Sequence, residues 1–256
     1  MMKYLFCLLM TLCAIQLHGR EIYVLAVGIA DYHYINDLKK TENDARDMAE
    51  LYRTHTRHVT NLLGAQATHD NMIAQLRTLC SQTTEGDVLV FIFSGHGTKG
   101  GLCAYDTRSA QSVVGYGEIQ RILQTCPSRN KQLYIDACYS GGLHEGKKKR
   151  QQDDRPTAET TFTDTQGIML FLSSRSGETS QENPWSRNGF FTQYLLLGIK
   201  GAADQNGDRI ITAKEIFTYV AQNVAERTNG RQHPVMWGRF NDNMRVMNWN
   251  AAKSLP

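Results

Sequence analysis

Two residues in this chain are of the types that make a nucleophile and a base, and each sits where a strand-like run stops. The run Asp87–Phe93 (DVLVFIF) passes directly into Ser94, Gly95, His96 and Gly97. Lys131–Ala137 (KQLYIDA) passes in the same way into Cys138, Tyr139, Ser140, Gly141 and Gly142. The thiolate is the reactive form of cysteine, and a nearby imidazole lowers the thiol pKa or takes its proton. The surrounding glycines let a backbone approach closely and free amide N–H groups for a developing oxyanion, with Gly97 and Cys138 as candidate donors. The implied chemistry is acyl transfer at Cys138, with His96 as base and acid.

For this pair to meet, both strands must point the same way in one sheet and end at one edge. The rest of the chain supplies such a sheet. Glu21–Ile29 (EIYVLAVGI) and Gly167–Ser173 (GIMLFLS) are also nearly continuous apolar runs, the pattern of strands buried on both faces, and His58–Leu63 is a shorter candidate. Helical patterns lie between them: ENDARDMAELYRTH with Thr41 as its cap, Thr68–Ser81, Tyr116–Gln124, FFTQYLLLGI from Phe190, and TAKEIFTYVAQNVAER from Thr212. HPVMWG, from His233, reads as a last strand or extended segment. Leu143–Thr165 and Ser176–Arg187 are polar, lack periodicity and read as loops. Strands alternating with helices predict an α/β fold, with a mainly parallel central sheet and helices on both faces, and ligands collect at the carboxyl ends of such strands.

The 256 residues are 41% hydrophobic and 21% charged, a globular composition. A net charge of +3, from 28 basic and 25 acidic residues, is too balanced for the long basic surface of a nucleic-acid binder. No apolar run reaches the roughly 20 residues that span a bilayer, which excludes a multi-pass membrane protein. Residues 1–19 (MMKYLFCLLMTLCAIQLHG) have one lysine, an apolar stretch and a small final residue, the layout of a secretory signal peptide. The expectation is a secreted or periplasmic protein with one domain over residues 20–256. Removing the leader takes Cys7 and Cys13 and leaves Cys80, Cys103, Cys126 and Cys138. Export permits disulfides, but the sequence does not set their pairing. Cys80, Cys103 and Cys126 have no metal-ligand spacing and read as packing residues. His33, His55, His58, His69, His144 and His233 are scattered and read as structural or surface residues.

FSGHG (Phe93–Gly97) and IDACYSGG (Ile135–Gly142), with 42 positions from His to Cys, resemble the caspase-like cysteine peptidases, closest to the bacterial metacaspase-like branch. VGIADY (Val27–Tyr32), ENDA (Glu42–Ala45), SSRSGETSQE (Ser173–Glu182) and GFFTQYLLLGIKG (Gly189–Gly201) extend the resemblance over essentially the whole chain after the leader. It implies the caspase-like fold, a His96–Cys138 dyad that needs no cofactor, and a polypeptide substrate. Asp136 lies two residues before Cys138, so on a strand it faces the same side as the nucleophile. Metacaspase-like enzymes use an acid there and another in the NDA segment to bind a basic residue before the scissile bond. Asp44 and Asp136 match these positions, and Ser94 matches a supporting hydroxyl. The resemblance therefore implies cleavage after Arg or Lys, with Glu178 or Glu182 as a further candidate carboxylate. It also lends meaning to Lys147, Lys148, Lys149 and Arg150, a basic run just after the nucleophile where relatives are often processed; the other reading is a solvated charge run. Alternatives are a peptidase with Asp or Asn preference and a non-catalytic binding module on the same scaffold.

A second constellation comes from spacing alone. Asp204, Asn206, Asp208, Thr212 and Glu215 occupy positions 1, 3, 5, 9 and 12 of an EF-hand-like loop, with the Ile210 carbonyl at position 7. The glycine expected at position 6 is Arg209. Calcium is one reading, and would allow a calcium-regulated adaptor. The other is an Asn-Gly turn followed by a capping box of Thr212 and Glu215.

Overall fold

The computed structural model describes residues 20–137, 156–175, 178 and 186–250. In chain order its main elements are β1 (Ile22–Gly28), α1 (Thr41–Arg53), β2 (Val59–Leu63), α2 (His69–Gln82), β3 (Val88–Ser94), the two-residue strands β4 (Gly97–Thr98), β5 (Gly101–Leu102) and β6 (Val114–Gly115), and α3 (Tyr116–Thr125). Then come β7 (Asn130–Asp136), α4 (Ala158–Phe162), β8 (Ile168–Leu172), α5 (Phe190–Leu197), β9 (Ile210–Thr212), α6 (Ala213–Arg227), β10 (Val235–Trp237) and β11 (Arg245–Asn248).

Six strands form the central sheet in the order β10-β8-β7-β3-β1-β2, parallel throughout except for β10. The expected α/β architecture is present, and HPVMWG supplies its antiparallel edge strand. Side chains alternate between the two faces, as the pleat requires. Leu25, Val27, Phe91, Phe93, Leu133 and Ile135 pack against Leu76 of α2, Leu123 of α3 and Phe162 of α4. Val24, Ala26, Val90, Ile92 and Tyr134 pack on the other side with Met48 of α1, Phe191 of α5 and Val220 of α6. This double burial is why the strands read as unbroken apolar runs.

Two features fix the functional edge. β1, β3 and β7 pair in phase, so Gly28, Ser94 and Asp136 lie side by side where the strands end. The chain steps from β1 to β2 on one side and returns through β3, β7 and β8 on the other, which places the topological switch between the ends of β1 and β3. At this point α1 comes close: a Cβ on Gly28 would lie 2.5 Å from the Thr41 carbonyl oxygen and 2.7 Å from the Ala45 Cβ. The missing side chain lets the first turn of α1 rest on the end of β1.

Several local expectations are corrected. Thr41 does not cap α1; it is the first helical residue, buried, and its hydroxyl donates to the Ile29 carbonyl at 2.6 Å. Within the stretch expected to be a loop, Ala158–Phe162 forms α4, capped by Thr157 and anchored by fully buried Phe162. The chain also does not finish its strands at HPVMWG, because β11 pairs antiparallel with β9. The helix expected over Thr68–Ser81 is present as α2, with Thr68 as its cap, the hydroxyl accepting from the Asn71 N–H.

Candidate active site

β3 ends at Ser94, and the chain turns through Gly95 to present His96. Gly95 donates its N–H to the Asp136 carbonyl at 3.1 Å, so the turn is tied to the end of β7. Its lack of a side chain is required here, since a Cβ would lie 2.5 Å from the Tyr32 hydroxyl oxygen. That hydroxyl accepts the His96 N–H at 2.7 Å, and the two rings lie 5.1 Å apart, centroid to centroid. The His96 carbonyl accepts from the Cys103 N–H at 2.9 Å, which begins the β4–β5 ladder. The main chain around His96 is thus held from three directions.

The imidazole is oriented by a backbone carbonyl. His96 Nε2 lies 2.9 Å from the Asn36 carbonyl oxygen. A carbonyl only accepts, so Nε2 carries hydrogen and in the neutral ring Nδ1 holds the free lone pair. Burial pushes the His96 pKa below its ordinary value, outweighing the Asn36 carbonyl and the Asp37 charge, which act the other way. At neutral pH the ring is an uncharged base. Asp37 also steadies this loop, its carboxylate accepting the Tyr32 N–H at 2.9 Å.

Gly97 follows on β4, an edge strand of the small sheet. The ladder bond runs from Cys103 to His96, so Gly97 and Leu102 form a pair not bonded to each other, and the Gly97 N–H is directed away from β5. Cys138 lies outside the described residues, immediately beyond Ala137. Lys147, Lys148, Lys149, Arg150, Glu182 and the leader, residues 1–19, also lie outside them.

Beside His96, the structure gathers Asp44, Ser94 and Asp136. Asp44, in the first turn of α1, is 2% exposed. Its carboxylate accepts from the Ser94 hydroxyl at 2.9 Å and from the Gly189 N–H at 3.1 Å. A Cβ on Gly189 would lie 3.6 Å from Asp44 Oδ2 and 3.3 Å from Asp136 Oδ2, so both carboxylates border the space that glycine leaves open. Burial and the Asp136 charge raise the Asp44 pKa from 3.8 to about 8, against the opposing bonds from Ser94, Asn188 and Gly189. A buried carboxyl with a second acid beside it holds a proton that it would release in water.

The segment that covers this corner is fastened to α1. Lys40 donates to the Ser186 carbonyl at 2.7 Å, Arg187 Nε reaches the Asp47 carboxylate at 2.9 and 3.2 Å, and the Asn188 amide donates to Asp47 at 3.0 Å. Tyr32, Asn36, Asp47 and Gly189 escaped the sequence reading. Gly189 and Tyr32 fell within quoted motifs, but nothing in their residue types indicated these contacts.

Two remaining candidates are placed elsewhere. Glu178 joins His233, its carboxylate accepting the His233 N–H at 2.7 Å and meeting Nδ1 at 2.8 Å. In the Asp204–Glu215 loop the side-chain oxygens accept from the loop's own backbone. Asp204 takes the N–H groups of Gly207 and Arg209, Asp208 that of Ile210, and Asn206 that of Asp208. Thr212 and Glu215 form the reciprocal capping box. Arg209 takes a left-handed φ of 64° where an EF-hand carries glycine. Among the described residues, no group of three or more His, Cys, Asp and Glu side chains is arranged to hold a metal ion. No helix among them is long and apolar enough to cross a membrane.

Residues 22–244 match the family described as the caspase domain. Among solved structures, a protein from Geobacter sulfurreducens superposes with a TM-score of 0.66 at 18% identity, covering 89% of this chain and 97% of that one. Caspase-1 from Spodoptera frugiperda superposes with a TM-score of 0.63 at 17% identity, covering 93% of this chain and 92% of that one. A search of curated protein sequences finds no match.

Proposed function

Because the chain belongs to the caspase-domain family of peptidases, which act on polypeptides, we propose that it is a cysteine endopeptidase cutting after Arg or Lys through His96 and Cys138. The observation that carries the specificity is the pair of carboxylates, Asp44 and Asp136, bordering one space beside His96. Among the described residues, every donor to Asp44 is neutral, namely Ser94, Asn188 and the Gly189 N–H. A guanidinium or ammonium group entering between the acids supplies the positive charge that this corner favours.

In the proposed reaction, the Cys138 sulfur attacks the carbonyl carbon after the basic residue and its proton passes to His96 Nδ1. The oxyanion takes the N–H groups of Gly97 and Cys138. The tetrahedral intermediate expels the amine, which receives the proton from His96, and leaves a thioester. His96 then deprotonates a water that attacks the thioester, releasing the acid and restoring the thiol. The Asn36 carbonyl keeps the ring in the required tautomer and favours the imidazolium formed in each step. The proposal includes export directed by residues 1–19 and self-cleavage within Lys147–Arg150.

Fluorogenic peptides that differ only in the residue before the cut test this reading. Cleavage after Arg and Lys is expected, lost in Cys138→Ala and His96→Ala. Cleavage after Asp or Asn but not Arg removes the pocket argument, and no cleavage of any peptide favours a binding module. On a gel, wild type resolves into two fragments that Cys138→Ala lacks; identical single chains remove self-cleavage. N-terminal sequencing of the exported protein locates the leader cut.

A further inference from the structure

On the α2–α3 face of the sheet, away from the active edge, two helices end against each other. Cys80 lies in the last turn of α2, and Cys126 follows the last residue of α3. Both are buried and unoxidised. Their thiols are hydrogen-bonded to each other. Thr83 lies against both residues: its hydroxyl donates to the Cys80 carbonyl at 2.8 Å and lies 3.4 Å from Cys126 Sγ. Each of the two residues also lines a cavity. Cys126 lines one of about 1130 Å³ with Ser128, Lys131 and Arg239, and Cys80 lines another of about 350 Å³ with Arg77 and Glu118.

We propose that Cys80 and Cys126 form a disulfide that fastens the end of α2 to the end of α3. Cys126 is the attacking sulfur. The bonds from Cys80, Thr83 and the Ser128 N–H, with Lys131 nearby, hold its thiol at about 6 despite burial, while the same contact and burial push Cys80 up. The oxidant is a small or protein-borne disulfide. Cys126 thiolate attacks one of its sulfurs, forming a mixed disulfide and releasing one thiolate. Cys80 then gives its proton to that thiolate, and its sulfur attacks Cys126 Sγ and expels the second. Two protein thiols lose two electrons and two protons, and one oxidant disulfide becomes two thiols.

The loop closed by this bond contains β3, His96 and the β4–β6 sheet, so the cross-link restricts the unfolded chain around the base without touching it. The test is independent of peptidase activity. Trypsin places the four thiols that follow the leader on separate peptides, 78–99 for Cys80, 100–108 for Cys103, 122–129 for Cys126 and 132–147 for Cys138. Folded protein is equilibrated with oxidised or reduced glutathione, free thiols are alkylated, and the digest is mapped by mass spectrometry. In the oxidised sample, peptides 78–99 and 122–129 are expected joined, Cys103 alkylated, and the melting temperature about 10 °C above that of the reduced sample. Cys103→Ser is expected to give the same joined pair. Cys80 and Cys126 on separate alkylated or glutathionylated peptides, or either one joined to Cys103 or Cys138, overturns the proposal. A joined pair with an unchanged melting temperature overturns its stabilising role.

Discussion

Replacing Asp44 by Asn should make the protein a worse enzyme and, at alkaline pH, a more stable one. In the fold the Asp44 carboxyl keeps its proton up to about 8, against an ordinary 3.8. A carboxylate with a raised pKa supports folding fully below its unfolded value, and that support is lost as pH rises toward about 8. Asparagine keeps the shape, its Oδ1 accepting the Gly189 N–H and its amide donating to the Ser94 hydroxyl oxygen, but has no charge to bury, so above pH 8 the variant should melt higher than wild type. Catalysis should move the other way. A carboxylate facing a guanidinium contributes charge-assisted bonds of about 1.5–3 kcal/mol each. Ionising Asp44 at pH 7 to receive the cation costs about 1.4 kcal/mol for the unit of pH below its pKa. Two such bonds less that cost leave about 3 kcal/mol, so kcat/KM on Arg peptides should fall roughly 100-fold in Asp44→Asn. The wild-type kcat/KM should rise about tenfold per pH unit toward pH 8 and then level. This limb is separate from that of His96, whose pKa lies below its ordinary value. Rates on an Arg peptide from pH 6 to 9, with melting scans at the same pH values, test both halves. A variant within threefold of wild type at pH 8, or one that melts lower at pH 9, refutes the reasoning.

Three further outcomes follow from the same geometry. Gly189→Ala has an allowed φ of −62° but puts a methyl within 3.3 Å of Asp136 Oδ2, so KM for Arg peptides should rise while the melting temperature moves by no more than about 2 °C. Tyr32→Phe deprives the His96 N–H of its acceptor, and should cost about 1 kcal/mol of stability and lower kcat about tenfold with KM unchanged, as denaturant titration and steady-state rates would report. Thr212→Ala removes the cap of α6 and should lower stability by about 1 kcal/mol, with the same loss in calcium and in chelator; a calcium-dependent loss would favour the ion-binding reading of Asp204–Glu215.

The sheet was legible because β1, β3, β7 and β8 are covered on both faces, which writes each as an apolar run. His96 and Asp44 stood out through residue type and motif. Asn36 did not, because it acts through a carbonyl that any residue supplies. Gly189 acts through an N–H and an absent side chain, which leave little trace in a single sequence. Thr41 misled for a related reason: cap-forming residues also serve as buried donors, and its hydroxyl turns toward Ile29 instead of toward its own helix. The strands of β4, β5 and β6 are two residues long, too short to show a period.

Asp44, Ser94, Asp136 and Gly189 arrive in that order along the chain, each on a different element. During synthesis the selective corner therefore cannot close until the ribosome has passed Gly189 and that segment has settled on α1. Between residues 136 and 189 a growing chain carries the base and both acids, yet has no finished place to hold a substrate. If the corner selects the substrate as proposed, the order of the elements delays that selection until the five parallel strands of the sheet have been made, a timing safeguard during synthesis among other unfolded chains.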